Sequence, residues 1–243
     1  KYFLSGSVTL TDSFISVIEA VKDGAWANDC APDIHWLSAE KYEKDPRAVQ
    51  ELKSYNGIIV PGGFGSRGVE GKIKVIEFCR KNKIPYLGLC YGLHMAVIEY
   101  SRNVCLLKGA NTTEIKPDTK YPVIHTLPEQ IANIQEKRMG GSMRLGAYTC
   151  VVHEDTKAHN AYGAKLITER HRHRYEVNNE FRDILEKKGL VFSGINPERN
   201  LVEIIELKNH PFFVGTQFHP EFKSRPLRPH PLFAEFIKVA SNN

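Results

Sequence analysis

Cys90 lies in the run Leu87-Gly88-Leu89-Cys90-Tyr91-Gly92, whose surroundings suit a nucleophile. Ile84–Leu89 reads as a buried strand, and Met95, Ala96, Val97 and Ile98 place a helix directly after the cysteine. A strand that turns straight into a helix presents the residue at the turn above the sheet's carboxyl edge, as in a nucleophile elbow with a thiol in place of the hydroxyl. Gly88 and Gly92 bring no Cβ atoms into so sharp a turn. The helix N-terminus adds partial positive charge, which stabilises a thiolate. On this motif alone, a structural cysteine between two incidental glycines reads equally well.

A second run, Gln217-Phe218-His219-Pro220-Glu221, follows a strand expected over Phe212–Phe218. An imidazole at a strand end can take a thiol proton and return it to a leaving amine. Glu221, two residues on, can reach the other ring nitrogen and fix its tautomer. Any one of the ten histidines could be a plain surface residue. A strand-end cysteine and a strand-end His-x-Glu in one parallel sheet are a narrower coincidence, because ligand sites form along that carboxyl edge. The third run is Pro61-Gly62-Gly63-Phe64-Gly65, after the short apolar strand Gly57–Val60. It can aim a backbone N–H at a developing oxyanion, and a peptide flip there would aim or withdraw the donor at Gly63. A tight turn is the plainer alternative. A phosphate loop fits poorly, since no GxxxxGK[ST] run is present.

The elements around these residues alternate between strand and helix. Phe14, Val17, Ile18 and Val21 recur at helical spacing after Asp12, a candidate N-cap. Val69, Ile73 and Ile76 mark a second helix, Phe181, Ile184 and Leu185 another, and Phe233, Phe236 and Ile237 the last. Tyr148–His153 and Leu201–Leu207 alternate like strands. The stretch 108–139 contains Pro117, Pro122 and Pro128 and reads as loops with short strands. This order predicts an α/β fold, a mainly parallel central sheet with helices on both faces in three flavodoxin-like layers. No linker divides the chain, so residues 1–243 read as one domain.

Composition narrows the function classes. Apolar residues make up 42% of the 243, enough for a sizeable core. The net charge of +5 is spread along the chain and does not argue for nucleic acid. Five cysteines without a CxxC pair fit a reduced, cytoplasmic protein better than a disulfide framework or a zinc site. No apolar run of membrane length and no signal peptide is visible, so no membrane role is expected. The chain begins at Lys1, not Met, and reads as a fragment.

Taken together, Gly-x-Cys-x-Gly, His-Pro-Glu and the Pro-Gly-Gly turn resemble the class I (triad) glutamine amidotransferases. Pro61–Gly68 (PGGFGSRG), Gly141–Gly146 (GSMRLG), Glu169–Asn179 (ERHRHRYEVNN) and Phe218–Pro226 (FHPEFKSRP) are similar, within that family, to the glutaminase domains of CTP synthases. The resemblance runs from the first helix to the last. It implies that Cys90, His219 and Glu221 form the triad and that backbone N–H groups of Gly63 and Tyr91 form the oxyanion hole. Gly92, Leu93 and His94 fall in the same glutamine-binding stretch. Glu114 and Arg174 match positions that hold the amino and carboxylate ends of L-glutamine, and a zwitterion needs such anchors of opposite charge. The resemblance also implies an N-terminal synthetase domain of the same polypeptide, which would carry ATP and Mg²⁺, and a homo-oligomeric full-length enzyme. No cofactor or metal is expected in the glutaminase part.

Two positions depart from the family pattern. His94 stands where Gln is usual, which is expected to alter pH sensitivity while preserving contact with the substrate amide. Tyr91 replaces a common Leu, with little effect expected if only its backbone acts. Residues 135–139 read as short beside some relatives, and part of the family's first strand is expected to be missing before Lys1. Two alternatives remain open: another cysteine hydrolase of the same fold acting on γ-glutamyl peptides, and a non-catalytic module that senses glutamine.

Overall fold

The structure is a computed structural model that describes residues 2–5, 14–126 and 143–242. Asp12, Pro128, residues 135–139 and Gly141 lie outside the described residues. The strands are β1 (Tyr2–Ser5), β2 (Ile34–Leu37), β3 (Gly57–Val60), β4 (Tyr86–Leu89), β5 (Asn111–Thr112), β6 (Pro122–Thr126), β7 (Arg144–Val152), β8 (Leu166–His173), β9 (Tyr175–Val177), β10 (Leu190–Asn196), β11 (Leu201–Leu207) and β12 (Phe213–Thr216). The α-helices are α1 (Ile15–Trp26), α2 (Ala39–Lys44), α3 (Val69–Asn82), α4 (Tyr91–Asn103), α5 (Lys157–Tyr162), α6 (Arg182–Lys187) and α7 (Pro231–Ser241).

Nine strands form the main sheet in the order β2-β1-β3-β4-β12-β11-β10-β7-β8. From β2 to β12 every pairing is parallel, and from β12 to β8 every pairing is antiparallel. The predicted parallel sheet is therefore one half of a mixed one. Alternating side chains identify a strand without its direction, so the antiparallel half could not be read from period alone. The strand expected over Phe212–Phe218 is shorter, ending at Thr216. In the middle stretch, β5 and β6 are short strands of the kind expected there, and they join β9 in a separate three-stranded sheet.

The parallel strands are apolar on both sides because both faces are covered. Ile58, Val60, Tyr86 and Phe213 point into a core shared with Ile73, Ile76, Leu93 and Val97 of α3 and α4. Ile59, Leu87, Leu89 and Val214 point the other way, onto Val17 and Val21 of α1 and Phe233, Phe236 and Ile237 of α7. These are the helices on both faces that the apolar spacing predicts. Phe236 packs so closely on β3 that a Cβ at Gly57 would lie 2.7 Å from its ring.

The pairing of β4 with β12 matters most for chemistry. Leu89 lies opposite Thr216, so the two strands end level at the same edge. Chain that leaves β4 at Cys90 thus starts beside chain that leaves β12 toward His219.

Candidate active site

The elbow at Cys90 is strained and tightly packed. Cys90 has φ 49° and ψ −95°, outside the regions a non-glycine residue prefers. Its N–H donates to Thr216 O at 2.6 Å, and its carbonyl accepts from His94 N–H at 3.2 Å in the first turn of α4. A Cβ at Gly92 would stand 2.2 Å from Val60 O, and one at Gly88 would stand 2.6 Å from Tyr86 Oη. Both glycines are therefore required by close approach, as the motif suggests. The thiol sits at the N-terminus of a 13-residue helix, where the backbone dipoles favour a negative charge.

His219 leaves β12 onto a 3₁₀ turn, Pro220–Phe222, which carries Glu221 back toward it. Its Nδ1 lies 2.7 Å from Glu221 Oε1, leaving Nε2 for Cys90. The ring stacks on Phe222, with centroids 5.0 Å apart, and the backbone N–H of His219 donates to Arg170 O of β8. Burial disfavours the charged imidazole, but hydrogen bonds and charge attraction from Cys90 and Glu221 outweigh it and push His219 up to about 10. The arrangement favours the protonated imidazole between Cys90 and Glu221.

The Pro61–Gly68 turn covers this pair. A Cβ at Gly62 would lie 2.8 Å from His219 Cε1, so the turn approaches the imidazole as only glycine allows. Gly63 follows, where a Cβ would stand 3.6 Å from Tyr91 Cδ1. Gly65 donates its N–H to Glu114 Oε1 at 2.9 Å, and its carbonyl accepts from Tyr91 Oη. The spacing Gly63-x-Gly65-x-x-Gly68 also matches a dinucleotide fingerprint. Here, however, a carboxylate occupies the Gly65 N–H, and α3 starts only after Gly68.

The remaining predicted residues divide into two groups. Glu114 is half-buried and its carboxyl is pushed up by burial, against the pull of the Gly65 N–H and of nearby Arg174. Those two residues of opposite charge are therefore together beside the turn. The strand alternation of Arg170, Arg172 and Arg174 does not continue, because β8 ends at His173. Arg170 and Arg172 are exposed, while Arg174 is partly buried between β8 and β9. Leu93 is fully buried in the core, so only its backbone can face a ligand.

His94 is also buried. Its Nε2 lies 3.0 Å from Gln217 Oε1, and Gln217 Nε2 donates to Cys90 Sγ at 3.9 Å. Burial lowers its pKa to about 4, so it is neutral near physiological pH. The pH sensitivity expected from a histidine here is thus displaced far to the acid side.

Sequence reasoning assigned no role to Gln217 and overlooked a buried ionic cluster behind the site. Arg144 pairs with Glu176 at 3.1 Å and Glu203 at 2.8 Å, all three almost wholly buried. His171 Nδ1 meets His173 Nε2 at 2.9 Å. The period-two pattern of Glu169-x-His171-x-His173 was the available signal, since it turns those three inward and the arginines outward. Among the described residues, no group of three or more His, Cys, Asp or Glu could hold a metal ion, and no helix is long and apolar enough to cross a membrane.

Comparison with known proteins agrees with this geometry. The profile of the family "Glutamine amidotransferase class-I" matches residues 9–239. A CTP synthase of Caldanaerobacter subterraneus subsp. tengcongensis is 57% identical over 235 residues, covering 97% of this chain and 43% of the relative. One from Clostridium acetobutylicum is 52% identical over 246 residues, covering 98% and 45%. The chain thus spans less than half the length of these curated relatives. Among solved structures, the Trypanosoma brucei CTPS glutaminase domain with bound acivicin superposes with a TM-score of 0.92 at 33% identity, covering 100% of this chain and 93% of that one. A glutamine amidotransferase from Thermotoga maritima, at 15% identity and a TM-score of 0.56, shares the fold. With its elbow, its strand-end His-x-Glu and these relatives along nearly its whole length, the chain belongs to the class-I glutamine amidotransferase family, in the group formed by the glutaminase domains of CTP synthases.

Proposed function

We propose that this domain hydrolyses L-glutamine to glutamate and ammonia through a thioester on Cys90, and that the longer polypeptide uses the ammonia to convert UTP to CTP. The observation that carries the reading is Cys90 at a strained elbow facing an imidazole that Glu221 orients from 2.7 Å.

In this reading the Cys90 thiolate attacks the side-chain carbonyl carbon, and the carbonyl electrons move onto oxygen. Backbone N–H groups of Gly63 and Tyr91 receive that oxyanion. As the tetrahedral species collapses, the C–N bond breaks and His219 gives its proton to the nitrogen, so ammonia leaves. His219, now neutral, takes a proton from water as the water attacks the thioester. The C–S bond then breaks, which restores the thiolate and releases glutamate. Gly92, Leu93 and His94 contribute from the first turn of α4, Leu93 through its backbone and His94 through Gln217, while Glu114 and Arg174 hold the α-ammonium and α-carboxylate. No step needs a metal or cofactor in this domain. ATP and Mg²⁺ belong to an N-terminal synthetase domain, and the full enzyme acts as a cytoplasmic homo-oligomer.

The test is ammonia release from free L-glutamine, compared with release of the amine from γ-glutamyl peptides. Faster turnover of the peptides would favour the γ-glutamyl hydrolase alternative. Glutamine binding with no ammonia, in the presence of the synthetase part and its nucleotides, would leave only a sensing module.

A further inference from the structure

The side chain of Tyr91 stands where the sequence suggests that only a backbone N–H matters. Its ring lies beneath the Pro61–Gly68 turn, and a Cβ at Gly63 would be 3.6 Å from ring carbon Cδ1. Its hydroxyl donates to Gly65 O. Glu114 accepts the Gly65 N–H at 2.9 Å. Both backbone polar groups of Gly65 are thus held from below, by two side chains from different parts of the chain. Lys72 adds a third tie, donating to Arg67 O at 3.2 Å with its Nζ 5.8 Å from the Tyr91 ring centroid.

We propose that Tyr91 is a positioning residue: its hydroxyl, with the Glu114 carboxylate, latches Gly65 and so keeps the Gly63 N–H aimed at the oxyanion. The proposal rests on the glutaminase reading and adds to it a role for a side chain. Gly62 and Gly63 lack side chains, and their backbone dihedrals are otherwise loosely restrained. Pro61 fixes the turn at one end through its ring. At the other end Gly65 has φ +77°, and a Cβ there would meet nothing within 4 Å, so packing does not hold it. The hydrogen bonds to Glu114 and Tyr91 hold that end. A leucine at position 91 would have no donor and could not make the tie.

The latch is also suited to its task chemically. Burial and the neighbouring Glu114 push the Tyr91 phenol well above its usual value, so it stays a donor throughout the working pH range. Glu114 is the group proposed to bind the substrate ammonium, so placing the substrate and placing the turn depend on one carboxylate.

The experiment compares wild type with Tyr91→Phe, which removes only the hydroxyl, and with Tyr91→Leu. Three quantities are read for each: hydrogen–deuterium exchange of the peptide covering residues 61–68, kcat and KM for L-glutamine, and the rate of Cys90 alkylation by iodoacetamide. The expected result is faster exchange in 61–68 and a kcat roughly 10-fold lower, equivalent to about 1.4 kcal/mol in the barrier. KM and the alkylation rate should stay within about twofold, because neither depends strongly on the oxyanion donor. Unchanged exchange in both variants would overturn the latch, whatever reaction the domain performs. Faster exchange with unchanged kcat would overturn the positioning role. A parallel fall in kcat and alkylation would also overturn it, by showing general damage to the elbow. Absence of ammonia release by wild type would instead count against the glutaminase reading, and the exchange measurement would still decide the latch.

Discussion

Replacing Glu221 by Gln keeps the shape of the His219 partner and removes its charge. In the structure, Glu221 Oε1 lies 2.7 Å from His219 Nδ1, and His219 is pushed up to about 10. The gap from an ordinary histidine, near 6.5, corresponds to roughly 5 kcal/mol in favour of the imidazolium. Cys90 and Glu221 share that preference. A charge-assisted hydrogen bond exceeds a neutral one by about 1–2 kcal/mol, so the imidazolium of the variant should lose its proton about one pH unit or more below the wild type. The sign follows from the role of His219 as the acid that protonates departing ammonia. Activity needs the protonated ring and falls as pH rises through its pKa. For kcat/KM of ammonia release, the wild-type alkaline limb should lie near 10 and that of Glu221→Gln near 8–9. The same shift links to stability. A raised histidine pKa stabilises the fold fully below about 6.5, and that contribution fades as pH rises toward 10. The variant should therefore lose more Tm at pH 6 than at pH 10. An alkaline limb that does not move would refute the claim that Glu221 holds the imidazolium.

Three further outcomes are expected. Arg174→Ala should raise KM for glutamine by roughly 10- to 100-fold, the loss of a charge-assisted contact of about 1.5–3 kcal/mol, whereas Arg170→Ala and Arg172→Ala, on the exposed face of β8, should leave it near wild type. Phe236→Ala should lower unfolding free energy in urea by about 3–5 kcal/mol, because the ring is fully buried against Gly57 and Phe212. The domain alone should release ammonia more slowly than the full polypeptide supplied with UTP and ATP, measured as kcat for glutamine. Equal rates would show that the Gly63 donor needs no help from a partner domain.

Much of the site was legible because its signals are local. An apolar run, a glycine two before and two after a cysteine, and a helical pattern directly afterwards left an elbow and a structural cysteine equally open, and the strand-end His-x-Glu narrowed the choice to the elbow. The glycine requirement at Gly92 is confirmed by backbone: Val60 O is too near for any side chain. What was not legible depends on pairing across the chain. Strand alternation cannot say that β4 lies beside β12, nor that the sheet reverses direction beyond β12. Arg144 reads as a surface residue until Glu176 and Glu203, distant in sequence, converge on it. Arg174 falls between β8, which ends at His173, and β9, which joins the other sheet, and no local signal marks that break. At Tyr91 the motif pointed to a backbone group, and nothing in the local sequence says that a turn 26 residues earlier would accept its hydroxyl.

The central claim is that glutamine is opened by Cys90 through a covalent intermediate. It is tested most directly by acid-quenching the protein during turnover of L-glutamine and locating the acyl group by peptide mass spectrometry. The account predicts a γ-glutamyl thioester on the peptide carrying Cys90, present during turnover and absent once glutamine is exhausted. Ammonia release with no acyl group on Cys90, or with the group on Cys30, Cys79, Cys105 or Cys150, would contradict it.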